Sequence, residues 1–298
     1  MNVIFSTVIP THKWAPKATR GEIAREASIL WGRTAAHPDD ERNWQLMLMF
    51  WRVILPAGRG NRQGDAYSQA KLVKARLRRW RGGEYRQLWE EAVDLTKPIK
   101  SRKKRRQQVD KSQEELNAER AAILACEGQY GKALQALTSN GMAPVNLNTE
   151  TELRRLNPAS DTIQGPQPNT EIQQLVFTEQ DILNAANKFR KGSAPGPSGL
   201  RPEHLKAVLR AAPNRRDRAL SNLTKLINVV MKGNVPEAVA PFLCGARLHA
   251  ANKKDGGLRP IAVGNLERRL ISKCAAFSLS QKAAQFLAPY QLGVGVKG

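Results

Sequence analysis

Apolar residues recur at helical spacing through most of this chain. Trp44, Met47, Leu48, Trp51 and Leu55 fall three and four residues apart, which predicts an amphipathic helix entered from Asp39-Asp40. Asp65 is placed to cap a second helix, whose inner stripe is Ala70, Val73, Leu77 and Trp80 and whose end is Gly82-Gly83. Tyr85, Leu88, Trp89 and Ala92 mark a third, and the spacing assigns Trp44, Trp51, Trp80 and Trp89 to a core. Two further helices are expected over residues 111–125 and 129–138, closed by Asn140-Gly141. Residues 1–37 show little periodicity and predict an irregular entry with one short helix near 21–32. Residues 143–175, rich in Pro, Asn and Thr, predict a linker.

Beyond the linker the pattern resumes. Thr178 followed by Asp181 predicts a capping box, with Ile182, Ala186 and Phe189 inside and Gly192 closing the helix. Pro202 suits a first helical turn ahead of Leu205, Val208 and Leu209. A longer helix carries Leu220, Leu223, Ile227, Val230 and Met231 up to Gly233. The spacing then changes to two strand-like runs, 246–252 and 258–263, around Asp255-Gly256-Gly257, which predicts a β-hairpin. Asn265 is placed to cap a last helix reaching about Phe286, burying Leu266, Leu270, Cys274 and Phe277. The expected class is mostly α with a small β-hairpin (α+β), in five segments: 1–37, 38–110, 111–142, 143–175 and 176–298.

Charge adds a partner to this picture. The chain of 298 residues has a net charge of +22, divided as +12 over residues 1–110, −3 over 111–175 and +13 over 176–298. Two basic modules flanking a mildly acidic connector call for a polyanion, RNA or DNA. The candidate contacts are Lys71, Lys74, Arg78 and Arg79 on the polar face of the second helix, with Lys191, Arg201, Arg268 and Arg269 in the C-terminal module. Arg102-Lys103-Lys104-Arg105-Arg106 suits an exposed linker, a nucleic-acid patch or a nuclear import signal. Three scattered cysteines (Cys126, Cys244, Cys274) support neither a disulfide framework nor a zinc site. The N-terminus has no basic leader and no apolar run approaches the ~20 residues of a membrane span, so an intracellular protein, nuclear or cytoplasmic, is expected without a membrane partner.

Several short motifs sharpen the expectation. Ala194-Pro195-Gly196-Pro197-Ser198-Gly199-Leu200 resembles the Pro-Gly-x-Asp-Gly-Leu loop that opens the polymerase domain of non-LTR retrotransposon reverse transcriptases, with Ser198 where Asp is usual. The hairpin 245–264 resembles that family's fingers hairpin, and Gln291-Leu292-Gly293 through Gly298 resembles its Gln-x-Gly segment. The motifs stand in the family's order over roughly the last 120 residues. The resemblance implies a helical N-terminal module, a linker and the fingers part of a right-hand polymerase fold. It implies that Lys253 and Arg259, with Lys254 beside them, meet the triphosphate of an incoming deoxynucleotide. Arginine can fork across two phosphate oxygens.

The complete family domain also uses Mg2+, held by aspartates of a Phe/Tyr-x-x-x-Asp strand and a Tyr-x-Asp-Asp turn that follow the Gln-x-Gly segment. Neither motif occurs up to Gly298, and the one Asp-Asp pair, Asp39-Asp40, reads as a helix start. The expectation is a fragment with the nucleotide-gripping half of an RNA-directed DNA polymerase, no catalytic or metal-binding residues of its own, and no primer extension alone. A second reading stays open: a basic helical RNA- or DNA-binding or interaction protein with no catalytic ancestry.

Overall fold

The computed structural model describes residues 1–58, 66–97, 111–158, 175–287 and 290. Among them the chain is mostly helical with one two-stranded antiparallel sheet. The expected arginine-rich run 102–106, the Asp65 cap and the Gln291–Gly298 motif lie outside the described residues.

The chain divides into two compact units that do not follow its order. One comprises Met1–Pro98, Thr170–Arg247 and Val263–Gly298; the other comprises Ile99–Asn169 and Leu248–Ala262. The basic helical module and most of the C-terminal module, expected as separate segments, therefore belong to a single unit.

In the first unit the central element is α3 (Glu41–Ile54), capped by the Asp40 side chain, which accepts from Arg42 N at 2.9 Å. It is buried almost all round from Asn43 to Ile54, as a helix apolar on every face must be. Phe50 stands edge-on to Trp51 (5.1 Å) and Trp80 (5.2 Å), and Trp80 to Tyr85 (4.6 Å). These rings tie α3 to α4 (Ala66–Arg81) and α5 (Tyr85–Asp94).

Segment 1–37, expected to be largely irregular, carries the short α1 (Asn2–Ser6) and the 17-residue α2 (Arg20–Ala36). Helix α2 packs on α11 (Pro213–Met231). Its Gly32 admits Asn222 so closely that a Cβ there would stand 2.8 Å from the Asn222 Nδ2, which donates to Ser28 O at 3.0 Å. Small residues set this contact, so the helix shows only a faint apolar stripe in sequence.

The second unit holds α6 (Gln113–Cys126), α7 (Tyr130–Leu137), α8 (Leu147–Leu156) and the central part of the hairpin. A Ser112–Glu115 capping box starts α6, and its small apolar cluster is Ala121, Ala133 and Ala136. Part of the expected linker is helical: Asn146 caps α8 by accepting from Thr149 N at 2.9 Å. No residue of α8 is buried, so it leaves no hydrophobic pattern. The strands are β1 (Ala246–Asn252) and β2 (Leu258–Gly264).

The remaining helices of the first unit are α9 (Glu179–Asn187), α10 (Pro202–Leu209), α12 (Ala240–Cys244) and α13 (Leu266–Leu287). The Thr178–Asp181 capping box forms as expected. Leu266, Leu270 and Cys274 are buried, whereas Phe277 is 46 % exposed with the Lys273 ammonium 5.7 Å from its ring.

Candidate nucleic-acid interface

The hairpin tip is built to be rigid. Gly256 has φ 81°, the Lys253 amide donates to Gly257 O at 2.8 Å, and the Asp255 carboxylate accepts from Gly257 N at 3.1 Å. A neighbouring segment lies along β1 in the manner of a third strand: Ala143 N donates to Ala250 O (3.0 Å) and Asn252 N to Gly141 O (3.1 Å). Asn140 then clamps the tip, its Nδ2 donating to Lys253 O while Asn252 Nδ2 donates to Asn140 O, both at 3.0 Å.

Lys253, Lys254 and Arg259 are all exposed on this frame. Among the described residues none of the three makes an ion pair, although Asp255 is in the turn and Glu152 feels Lys253 weakly. The strand around Arg259 is open, with Ile261 40 % exposed, and the guanidinium is exposed with no ion-pair partner among the described residues.

In the first unit the Pro-Gly loop is a buried crossing point. Gly196 lies directly on the Gly264 carbonyl, and a Cβ would stand 2.5 Å from Asn265 Cα. Ser198, with no exposed surface, donates its amide to Asn265 Oδ1 (2.7 Å) and its hydroxyl to Glu267 Oε2 (3.2 Å). Asn265 stands directly before α13, where its carbonyl accepts from Arg269 N at 3.1 Å, and its side chain joins the loop to α12, donating to Phe242 O at 2.9 Å. Burial raises the Glu267 carboxyl above its ordinary value. Gly199 has φ 77° and its carbonyl accepts from Thr11 Oγ1 at 2.8 Å.

Several expected nucleic-acid contacts are occupied by this architecture. Arg268 donates to Cys244 O. Arg269 donates to Ala194 O at 2.9 Å, its guanidinium 5.4 Å from the Phe189 ring. Arg201 Nε donates to Thr11 O at 3.2 Å, and burial lowers the guanidinium's pKa. Arg79 pairs with both Glu84 and Glu91 at 2.7 Å. Lys71, Lys74 and Arg78 are exposed along α4, and Lys191 is exposed beside the Pro-Gly loop.

Two buried groups, Arg52 and His204, and the half-buried His12 carried no sequence signal. Arg52 is 1 % exposed, donates to the Ile4 and Thr7 carbonyls, and lies 4.9 Å from the Trp89 ring centroid. Burial, then Arg247, pushes its pKa down to about 9. His204 is held between the Arg201 amide and His12 O and stacks on Trp51 at 5.4 Å. His12 belongs to a notch with Trp14 and Arg76. Their partners lie far off in sequence, where periodicity cannot reach.

Among the described residues no three His, Cys, Asp or Glu side chains gather where they could hold a metal, and no helix is long and apolar enough to cross a membrane. No family model, no curated protein and no solved structure matches the chain.

Proposed function

We propose that this chain is a nucleic-acid-binding piece of a non-LTR-retrotransposon-like reverse transcriptase, corresponding to its N-terminal extension and fingers. The hairpin tip carries the phosphate-gripping role, with Lys253 and Arg259 directed at the triphosphate of a deoxynucleotide whose Mg2+ the complete polymerase domain would hold. The observation that carries this reading is the braced tip: two exposed lysines on a turn locked by Asp255, Asn140 and Asn252, with the exposed Arg259 on the strand that leaves it. A preordered cationic surface binds phosphate without first losing the entropy of ordering its own backbone. The exposed lysines and Arg78 of α4 supply a second basic face for RNA or DNA.

The test is a salt titration of oligonucleotide binding by the full chain, with Lys253, Lys254 and Arg259 replaced together by Gln. Each phosphate contact contributes about −0.7 to the log–log slope on a single strand. The triple variant should bind more weakly with a slope shallower by roughly one to two units. An unchanged slope removes the hairpin from the interface. Loss of slope only on replacing Lys71, Lys74 and Arg78 favours the reading as a basic helical binding protein.

A further inference from the structure

A second constellation lies in the first unit, well before the residues that carry the polymerase resemblance. Residues 10–12 are fixed against the end of α3: His12 N donates to Leu55 O at 2.9 Å and Ala57 N to Pro10 O at 2.8 Å. This pairing sets His12 and Trp14 against Gln69, Leu72, Val73 and Arg76 of α4, around a notch of about 20 Å³. A space of that size admits a single oxygen atom rather than a whole ligand. A ligand would therefore lie across the notch and insert one atom.

The chemistry of the rim is uniform. Arg76 is half-buried on one wall and His12 on another, and Arg201 is close enough that His12 feels both. Burial first, then these two guanidinium groups, lowers the His12 pKa. Among the described residues no carboxylate lines the notch. Glu91, an acid that acts on Arg76 through its charge, already holds Arg79 through both oxygens at 2.7 and 2.9 Å. Beside these donors Trp14 leaves half its surface in solvent, with the Lys13 ammonium 5.6 Å from its ring, and Leu72 is 56 % exposed.

We infer that this notch is a subsite for one nucleotide step of a single-stranded nucleic acid, the base lying on the Trp14 indole and a phosphate oxygen entering between His12 and Arg76. An open ring beside clustered cations matches the alternation of flat base and charged phosphate along a single strand. Bases of a duplex are stacked on one another and present no free face to a ring. The inference rests on the nucleic-acid reading given above but uses none of the hairpin residues.

The experiment compares the full chain with Trp14→Ala, Trp14→Phe and Arg76→Gln, using labelled oligo(dT) and oligo(rU) of about a dozen nucleotides and a duplex of equal length. Trp14→Ala should weaken single-strand binding about five-fold or more, with duplex affinity nearly unchanged and most of the loss recovered in Trp14→Phe. Arg76→Gln should weaken single-strand binding and make its salt slope shallower by about 0.7. Urea midpoints confirm folding of each variant, and the exposure of Trp14 makes its replacement mild. If Trp14→Ala and Arg76→Gln bind single strands as tightly as the parent, the subsite is refuted while the hairpin reading stands. Equal losses on duplex and single strand also refute it. If the parent chain binds none of the three probes, the proposed function fails as well.

Discussion

His204 shows how a single buried residue can make stability depend on pH. Its Nδ1 faces the Arg201 amide at 3.3 Å and its Nε2 faces His12 O at 2.8 Å. An amide N–H must meet a lone pair, so Nδ1 is bare and Nε2 carries the proton. A second proton would set N–H against N–H inside the core, next to the flat face of Trp51. Burial pushes the pKa from 6.5 down to about 3. The unfolded chain therefore binds a proton below pH 6.5 that the folded chain refuses. The stabilisation is full above that value and is lost as pH falls towards about 3, by roughly 1.4 kcal/mol per unit. Urea unfolding of the parent and His204→Phe between pH 4 and 7 isolates this effect. Phe removes both hydrogen bonds and lowers stability throughout, yet its curve should be flatter on the acid side. Parallel curves would show that the imidazole is protonated in the fold. Glu267, raised by burial, has the opposite sign: its stabilisation is present in acid and fades as pH rises above its ordinary range, which the difference between the two proteins cancels.

At the scale of elements, the hairpin depends on a residue outside it. Asn140 clamps the Lys253 carbonyl and receives Asn252, so an exposed turn gains two hydrogen bonds that a free hairpin lacks. Replacing Asn140 by Ala should cost the tip roughly 1 kcal/mol of local stability. Amide exchange over residues 252–257 would then quicken about five-fold while that of α3 stays unchanged. Equal exchange in the two proteins would show that the turn residues alone hold the tip. The turn itself was legible in sequence, because Asp255-Gly256-Gly257 meets the backbone demand where it stands. Helices α3 and α4 were legible for a similar reason: Trp44, Met47, Leu48 and Trp51, or Val73, Leu77 and Trp80, each mark one buried direction. Helix α2 was only partly legible, since it is packed through Gly32, Ala24, Ala27 and Ser28, which leave little apolar contrast. The exposure of Lys253 and Lys254 follows from their place at a turn, and that of Arg259 from the openness of β2. The engagement of Arg79, Arg268 and Arg269 does not, because their partners are set by tertiary contacts up to 75 residues away. A basic face read from periodicity counts cations but cannot tell an idle guanidinium from one already holding a carbonyl.

For the whole molecule the dominant quantity is the charge of +22, which acts on folding and on binding in opposite directions. The ion pairs among the described residues are mostly exposed, as in Arg154–Glu150 and Arg155–Glu152, and such pairs contribute little. Repulsion among 48 basic residues facing 26 acidic ones is then a net cost of the compact state. Salt shortens the reach of that repulsion from about 10 Å at 0.1 M to about 3 Å at 1 M. Raising KCl from about 0.05 to 0.5 M should accordingly shift the urea midpoint of the free chain upward. The same change should weaken oligonucleotide binding by orders of magnitude, because the counterions that each phosphate contact releases gain less entropy on entering concentrated salt. A bound oligonucleotide at low salt should replace the missing screening and raise the midpoint in turn, by an amount set by its concentration over Kd. Both measurements use one purified protein. A midpoint that falls with salt would mean that attractive pairs, not repulsion, govern this surface. Such a surface would have little need of a polyanion, and the case for RNA or DNA as its partner would lose its electrostatic basis.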